Sequence, residues 1–174
     1  YRHDKNPLRE AENYTMEDAR KHMVLFEQEM AKRSLLLHKV GHGWTGEVLG
    51  SGTVGSWNAV EASVAPEKLD MAAQIGGKRG FYMGIPANTN LCFSHPHTVD
   101  AFADLVVRYA RQNPNVDYLH VWLADEYNNV CECDACQQTT ISDQYVGLLN
   151  EIDRRLAEEG LSTHLVFLLY QELL

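Results

Sequence analysis

The chain has little that would tie it to nucleic acid or to a bilayer. Positive charge is in deficit: Lys and Arg number 15 against 24 Asp and Glu, a formal net charge of −9. That balance repels a phosphate backbone and an anionic membrane surface, so neither partner is expected. No apolar run approaches the ~20 residues that span a bilayer as a helix. No internal repeat, low-complexity tract or GK[ST] phosphate loop is found. Cysteine is limited to Cys92, Cys131, Cys133 and Cys136. Three clustered thiols plus a distant one suit a disulfide scaffold poorly, and a chain this long does not need one. The clustering leans towards a reducing compartment, although a parent protein with a signal peptide would place it outside the cytoplasm. Neither a signal peptide nor an initiator Met precedes the polar start at Tyr1. The last strand-like run ends within a few residues of Leu174. A segment of a longer protein is therefore expected.

The rest is ordinary globular composition, with 174 residues, 45% hydrophobic and 22% charged, enough for one domain with a core. Residues 1–14 read as a polar lead-in and 15–174 as the domain. Asn13-Tyr14-Thr15 fits a glycosylation sequon, a pattern short enough to arise by chance. Thr15 and Asp18 read as a capping box opening an amphipathic helix over 16–33, with Ala19, Met23, Phe26 and Met30 as its core stripe. A strand follows at Leu35–Val40, then a glycine-rich loop, Gly41–Gly55. Within it Gly41-His42-Gly43-Trp44-Thr45-Gly46 fits the dinucleotide fingerprint letter for letter, with Glu61 near the ribose-acid position. The further glycines Gly50, Gly52 and Gly55 break the helix such a site requires. A substrate rim carrying His42, Trp44 and Trp57 suits the loop better, since indole faces stack on sugar rings; a buried Trp is the plain alternative. The pattern then predicts a short helix over Leu69–Ile75, a strand over Phe81–Ile85, and a helix capped by Thr98 with Phe102, Leu105, Val106 and Tyr109 inward. Next come a strand at Tyr118–Leu123, a helix capped by Ser142 with Tyr145, Leu148, Leu149, Ile152 and Leu156 inward, and a last strand over Thr163–Tyr170. Alternating strands and helices predict an α/β fold of parallel (β/α) units, about half of a (β/α)8 TIM-type barrel.

The stretch Tyr118–Cys136 organises this pattern. Its apolar run ends at adjacent carboxylates, Asp125 and Glu126, at the strand edge where parallel α/β folds build their active sites. Successive strand residues point to opposite faces, so both acids serve one site only where the backbone turns. Their plain alternative is to solvate a loop mouth. Cys131, Cys133, Cys136 and Cys92 suit a tetrahedral structural zinc site, with His95 or His97 as substitute ligands; disulfides and free thiols are the alternatives. His38, His120 and His164 read as interior residues of strands.

Two passages, Asn90-Leu91-Cys92-Phe93-Ser94-His95-Pro96-His97-Thr98-Val99 and His120–Cys136 followed by Ser142-Asp143-Gln144-Tyr145, resemble a bacterial glycosidase-like domain family, domain of unknown function 4838. Its members occur in large polysaccharide-degrading proteins and are grouped with α-glucuronidase barrels. They pair an Asp at a strand end with a C-x-C-x-x-C loop and a further Cys before the preceding helix. The strand end also resembles glycoside hydrolase family 20, where an Asp-Glu pair follows a His-x-Gly-Gly pattern; here the glycines of that pattern are absent. The resemblance implies a glycoside hydrolase acting on a polysaccharide or glycan, with Glu126 as general acid/base and Asp125 orienting the substrate. His42, Trp44, Asn128 and Tyr170 are the candidate substrate contacts and Glu172 a possible second carboxylate. The alternative is a non-catalytic, zinc-stabilised carbohydrate-binding or structural module. The expected partners are a carbohydrate and the rest of the parent polypeptide, with self-association through open sheet edges if the barrel is incomplete.

Overall fold

The computed structural model describes residues 14–52, 59–60 and 63–173. Asn13 of the sequon, Trp57 and Glu61 lie outside the described residues, as does most of the polar lead-in. The chain divides into two compact units, Tyr1–Leu37 and His38–Leu174.

The described part of the first unit is dominated by helix α1, Met16–Lys32. Its capping box forms as expected: the Asp18 N–H donates to the Thr15 hydroxyl, and the Thr15 N–H donates to the Asp18 carboxylate. The expected core stripe does not: Met23 and Phe26 are 52% and 66% exposed, and Val24 and Leu25 lie open beside them. Helical spacing marks an apolar face but not whether anything covers it.

The second unit is built on a three-stranded parallel sheet, β1 (His38–Gly41), β4 (Tyr118–Val121) and β5 (His164–Val166), in the order β1-β4-β5. His38 pairs with Tyr118, and Tyr118 in turn with His164. The crossover helices are α3 (Thr98–Gln112) and α4 (Ile141–Glu158). They pack side by side, joined by ion pairs from Arg155 to Asp100 and Asp104 and from Arg111 to Glu159. The fold is thus α/β with a parallel sheet.

Period-2 alternation sorts the central strand. Leu119 and Val121 are buried with Phe102, Val106 and Ala110 of α3 and Tyr145, Leu148 and Ile152 of α4. The opposite face carries a chain of rings: His38 stacks on Tyr118 at 4.5 Å, His120 meets Trp122 at 5.3 Å, and Trp122 meets His42 at 5.0 Å. The His38 and His120 rings share a hydrogen bond of 3.0 Å. Gly41 permits this arrangement, because a Cβ there would stand 3.0 Å from the Trp122 ring. Both helix stripes were legible, although Leu105, Tyr109 and Leu149 are only half-buried.

Five further expectations need correction. Phe81–Ile85 is not a strand: Tyr82–Gly84 forms a 3-10 turn with Met83 at φ 52°. The helix expected over Leu69–Ile75 is a 3-10 turn, Pro66–Met71, followed by the hairpin β2 (Gln74–Ile75) and β3 (Lys78–Arg79). The glycine-rich loop contains a short helix, α2 (Trp44–Val48), which opens at Gly43. Gly46 in it lies against Pro86, where a Cβ would come within 2.9 Å. Finally, α4 is capped by Thr140, whose hydroxyl accepts the Asp143 N–H, and not by Ser142. Thr98 is the first residue inside α3 and makes no capping bond.

Candidate metal centre and carboxylate turn

Because the sheet is parallel, the segments after β1, β4 and β5 leave at one edge. His42 follows β1, Asp125 and Glu126 follow β4, and Tyr170 and Glu172 follow β5. A cleft of about 360 Å3, part of it open to solvent, lies at this edge. His42, Trp122, Asn90, Asn129, Tyr170 and Glu172 are among its lining residues. Its interior has little more room than an ordered water needs, and Leu168 and Leu173 also line it.

The chain turns sharply after the strand. Glu126 and Asn128 have φ of 79° and 57°, a left-handed conformation uncommon outside glycine. Asp125 accepts the Glu126 N–H at 3.0 Å, and Glu126 accepts the Tyr127 N–H at 3.2 Å. Such a turn lifts the opposite-face constraint on neighbouring strand residues. Asp125 is half-buried and Glu126 exposed; neither is among the residues lining the cleft. Asn128 is exposed, and its N–H donates to Glu172 at 2.7 Å. His42 is half-buried, with its Nδ1–H donating to the Leu123 carbonyl at 2.8 Å. Tyr170 is 41% exposed. Trp44 is a correction: it is 2% exposed, its Nε1–H donates to the His120 carbonyl, and its ring meets Tyr109 edge-on. It is a core residue with no face to offer a sugar.

The four cysteines converge. Their sulfurs all lie within 4.8 Å of one another, and they are the one group of metal-ligating side chains so placed among the described residues. The Cys92 sulfur is 3.7 Å from that of Cys133 and 3.8 Å from that of Cys136. A tetrahedral ion with bonds of about 2.3 Å to sulfur requires edges of roughly 3.8 Å. The set is therefore placed to hold a metal ion, and all four cysteines are free thiols. His95 and His97 lie against each other outside the group.

Cys92 does not reach this place from a preceding parallel strand. An antiparallel bridge between Ala72 and Leu91 carries it, with the Cys92 N–H on the Met71 carbonyl at 2.8 Å. The β2–β3 hairpin closes one side. The Gln74 N–H donates to the Cys131 sulfur at 3.3 Å, and the Glu132 N–H returns to the Gln74 carbonyl at 2.8 Å. The Ser94 N–H donates to Cys136 at 3.4 Å, and its hydroxyl lies 3.2–3.4 Å from the sulfurs of Cys92, Cys133 and Cys136. N–H donors aimed at sulfur favour thiolate, the form that binds metal, whereas the Cys136 thiol itself donates to the Ser94 hydroxyl and burial pushes it upward. Cys92 is held well below the ordinary thiol range: the neighbouring Cys131 thiol donates to it and, against the cost of burial and with help from Ser94, Arg79 and Cys133, holds it down to about 3. Cys131, as that donor and as a buried group, is pushed upward.

Sequence reasoning missed the buried amides that join the two halves of this region. Asn129 is 1% and Asn90 4% exposed. The Asn90 amide donates to the Asn129 carbonyl oxygen at 3.0 Å. Asn129 donates to the main-chain carbonyls of Asn88 at 2.8 Å and Asp125 at 2.6 Å. The Ala124 N–H donates to Asn90 at 3.3 Å. A signal existed: each amide stands two residues before a cysteine, as Asn90-Leu91-Cys92 and Asn129-Val130-Cys131. The chain matches no family model, no curated protein and no solved structure.

Proposed function

We propose that this chain is a zinc-stabilised (β/α) segment of a carbohydrate-active protein. In this reading Asp125 and Glu126 act on a glycosidic bond, Glu126 as general acid/base and Asp125 as its orienting partner. One observation carries it: the turn bearing both acids leaves the central parallel strand and runs directly into a loop gathered by four sulfurs that lie within 4.8 Å of one another.

The chemistry requires a proton donor at the leaving oxygen and a group that steadies or attacks the anomeric carbon. Two adjacent carboxylates at a turn meet that need when the turn is held still. Zinc with four thiolates has its coordination closed, so it would activate no water and would serve only to pin the loop. Support for a barrel segment comes from the strand order β1-β4-β5, which follows the chain, and from α3 and α4 lying side by side. One βαβαβ half of a doubly wound sheet has the same strand order and helix placement, so these features support a barrel without selecting it. The ring-lined face of β4 would then be interior to the barrel. Glu126→Gln is expected to fold normally and to abolish turnover on a panel of glycosides that the parent cleaves; unchanged turnover would remove the assignment.

The second reading is a non-catalytic, zinc-stabilised carbohydrate-binding or structural module. The exposure of Glu126 and its place away from the cleft favour it. Sugar binding that survives the loss of both carboxylates, with no turnover by the parent, would select it.

A further inference from the structure

Between the sulfurs and the acids lies a buried polar bridge with a direction to it. Asn129 and Asn90 grip the strand end from two sides. Asn129 takes the carbonyl of Asp125, and Asn90 takes the N–H of Ala124, one residue earlier. The two side chains bond to each other across 39 residues of chain. Each is followed, two positions on, by a cysteine of the cluster. Gathering the sulfurs therefore gathers the asparagines, and the asparagines hold the two peptide groups, Leu123–Ala124 and Asp125–Glu126, where the turn begins. The left-handed Glu126 gives such a grip something to do, because a non-glycine residue holds that conformation only when its surroundings over-determine it.

We propose that Asn129, paired with Asn90, is the positioning residue that transmits metal binding at the cysteine cluster to the carboxylate turn. The proposal rests on the metal reading above; it does not need the acids to be catalytic. Metal binding would exchange thiol protons for metal–sulfur bonds, and every other step is positioning. A filled cluster holds the two loops at one separation, the amide pair closes, and the Leu123–Ala124 and Asp125–Glu126 peptide groups stay in place. With the cluster empty, the two loops lose their common anchor and the pair its fixed distance. Linkage makes the effect reciprocal: whatever factor the metal contributes to order in the turn, an intact amide pair returns to metal affinity.

The test uses the whole chain, stripped with a chelator and titrated with Co2+, whose thiolate absorption reports the filled site. Hydrogen exchange at the Asp125 and Glu126 amides reports the turn. In the native chain Co2+ is expected to slow that exchange about tenfold, the size of a local opening suppressed by a new constraint. Asn129→Asp keeps the shape and the acceptor but loses both donors. It is expected to bind Co2+ about tenfold more weakly and to show less than about twofold slowing, as reciprocity demands. Asn90→Asp keeps the acceptor for the Ala124 N–H and loses only the donor to Asn129. It carries the test if the first variant fails to fold, and the same loss of coupling is expected. Equal slowing in parent and variant overturns the proposal. So does Co2+ that binds without slowing the turn, and that outcome leaves the metal reading standing. A native chain that takes no Co2+ overturns both.

Discussion

Two stretches adjoin after the central strand and are built in opposite ways. Asp125–Asn128 is mostly exposed and turns through two left-handed residues; the Glu126 and Tyr127 N–H groups stay with near neighbours, and only the Asp125 and Asn128 N–H groups reach distant segments, at Ala87 and Glu172. Cys131–Cys136 has two of its three thiols buried and ties itself to distant segments, the hairpin at Gln74 and the loop at Ser94. A loop anchored at one end and open at the other is what a site needs when its reactive groups must meet a ligand without drifting. Stability and chemistry should therefore separate along these twelve residues.

The largest effect is expected at the anchored end. Cys136→Ser, or a strong chelator on the parent chain, should lower unfolding free energy by roughly 5 kcal/mol or more, since structural zinc supplies ~10 kcal/mol or more of apparent binding energy in small metal-dependent folds. Urea denaturation with and without chelator measures it; a variant as stable as the parent, with no response to chelator, would erase the contrast. Asn129→Ala comes next. It leaves two main-chain carbonyls and the Asn90 amide without their partner, and about 3 kcal/mol of destabilisation is expected.

A smaller effect belongs to Tyr145, which secures the strand just before the turn. Its hydroxyl donates to the Val121 carbonyl at 2.5 Å and accepts the Leu168 N–H at 3.4 Å. Tyr145→Phe should cost about 1 kcal/mol. Burial also pushes the Tyr145 hydroxyl up to about 12 from its ordinary 10. The folded chain therefore holds this proton after the unfolded chain has lost it. The contribution is complete below pH 10 and drains away as pH rises through 12, and in Tyr145→Phe that part of the alkaline loss should be missing. The smallest effect is expected at Glu126→Gln, within about 0.5 kcal/mol of the parent, as for an exposed side chain with a local partner. A large loss of stability there would mean that the acid is structural.

The same contrast governs how much could be read in advance. Cysteine chemistry is specific, so the four candidate ligands were named from their type and spacing, and the structure gathers all four. Asn128 and Asn129 are chemically alike and adjacent. The first was expected to meet a ligand, yet the second is the one that turns inward, because its partners at Asn88 and Asn90 arrive from about 40 residues away. Trp44 reads as a ring on a glycine-rich loop, and only the packing of α2 shows that it is core. Thr140 and Ser142 are both good caps, and the turn of chain before α4 selects the first.

Periodicity and residue chemistry determined the two amphipathic crossover helices, the central strand with its acids at the far end, and the set of sulfurs. These follow from interactions within a few residues or from properties a side chain carries anywhere. Tertiary structure decided the strand order, the hairpin that closes the cysteine cluster, the bridge that delivers Cys92 in place of the expected strand, and which asparagines are buried. Each of those depends on which distant segment offers an unsatisfied donor, acceptor or apolar surface; the Asn-x-Cys spacing marks the two asparagines but not their partners.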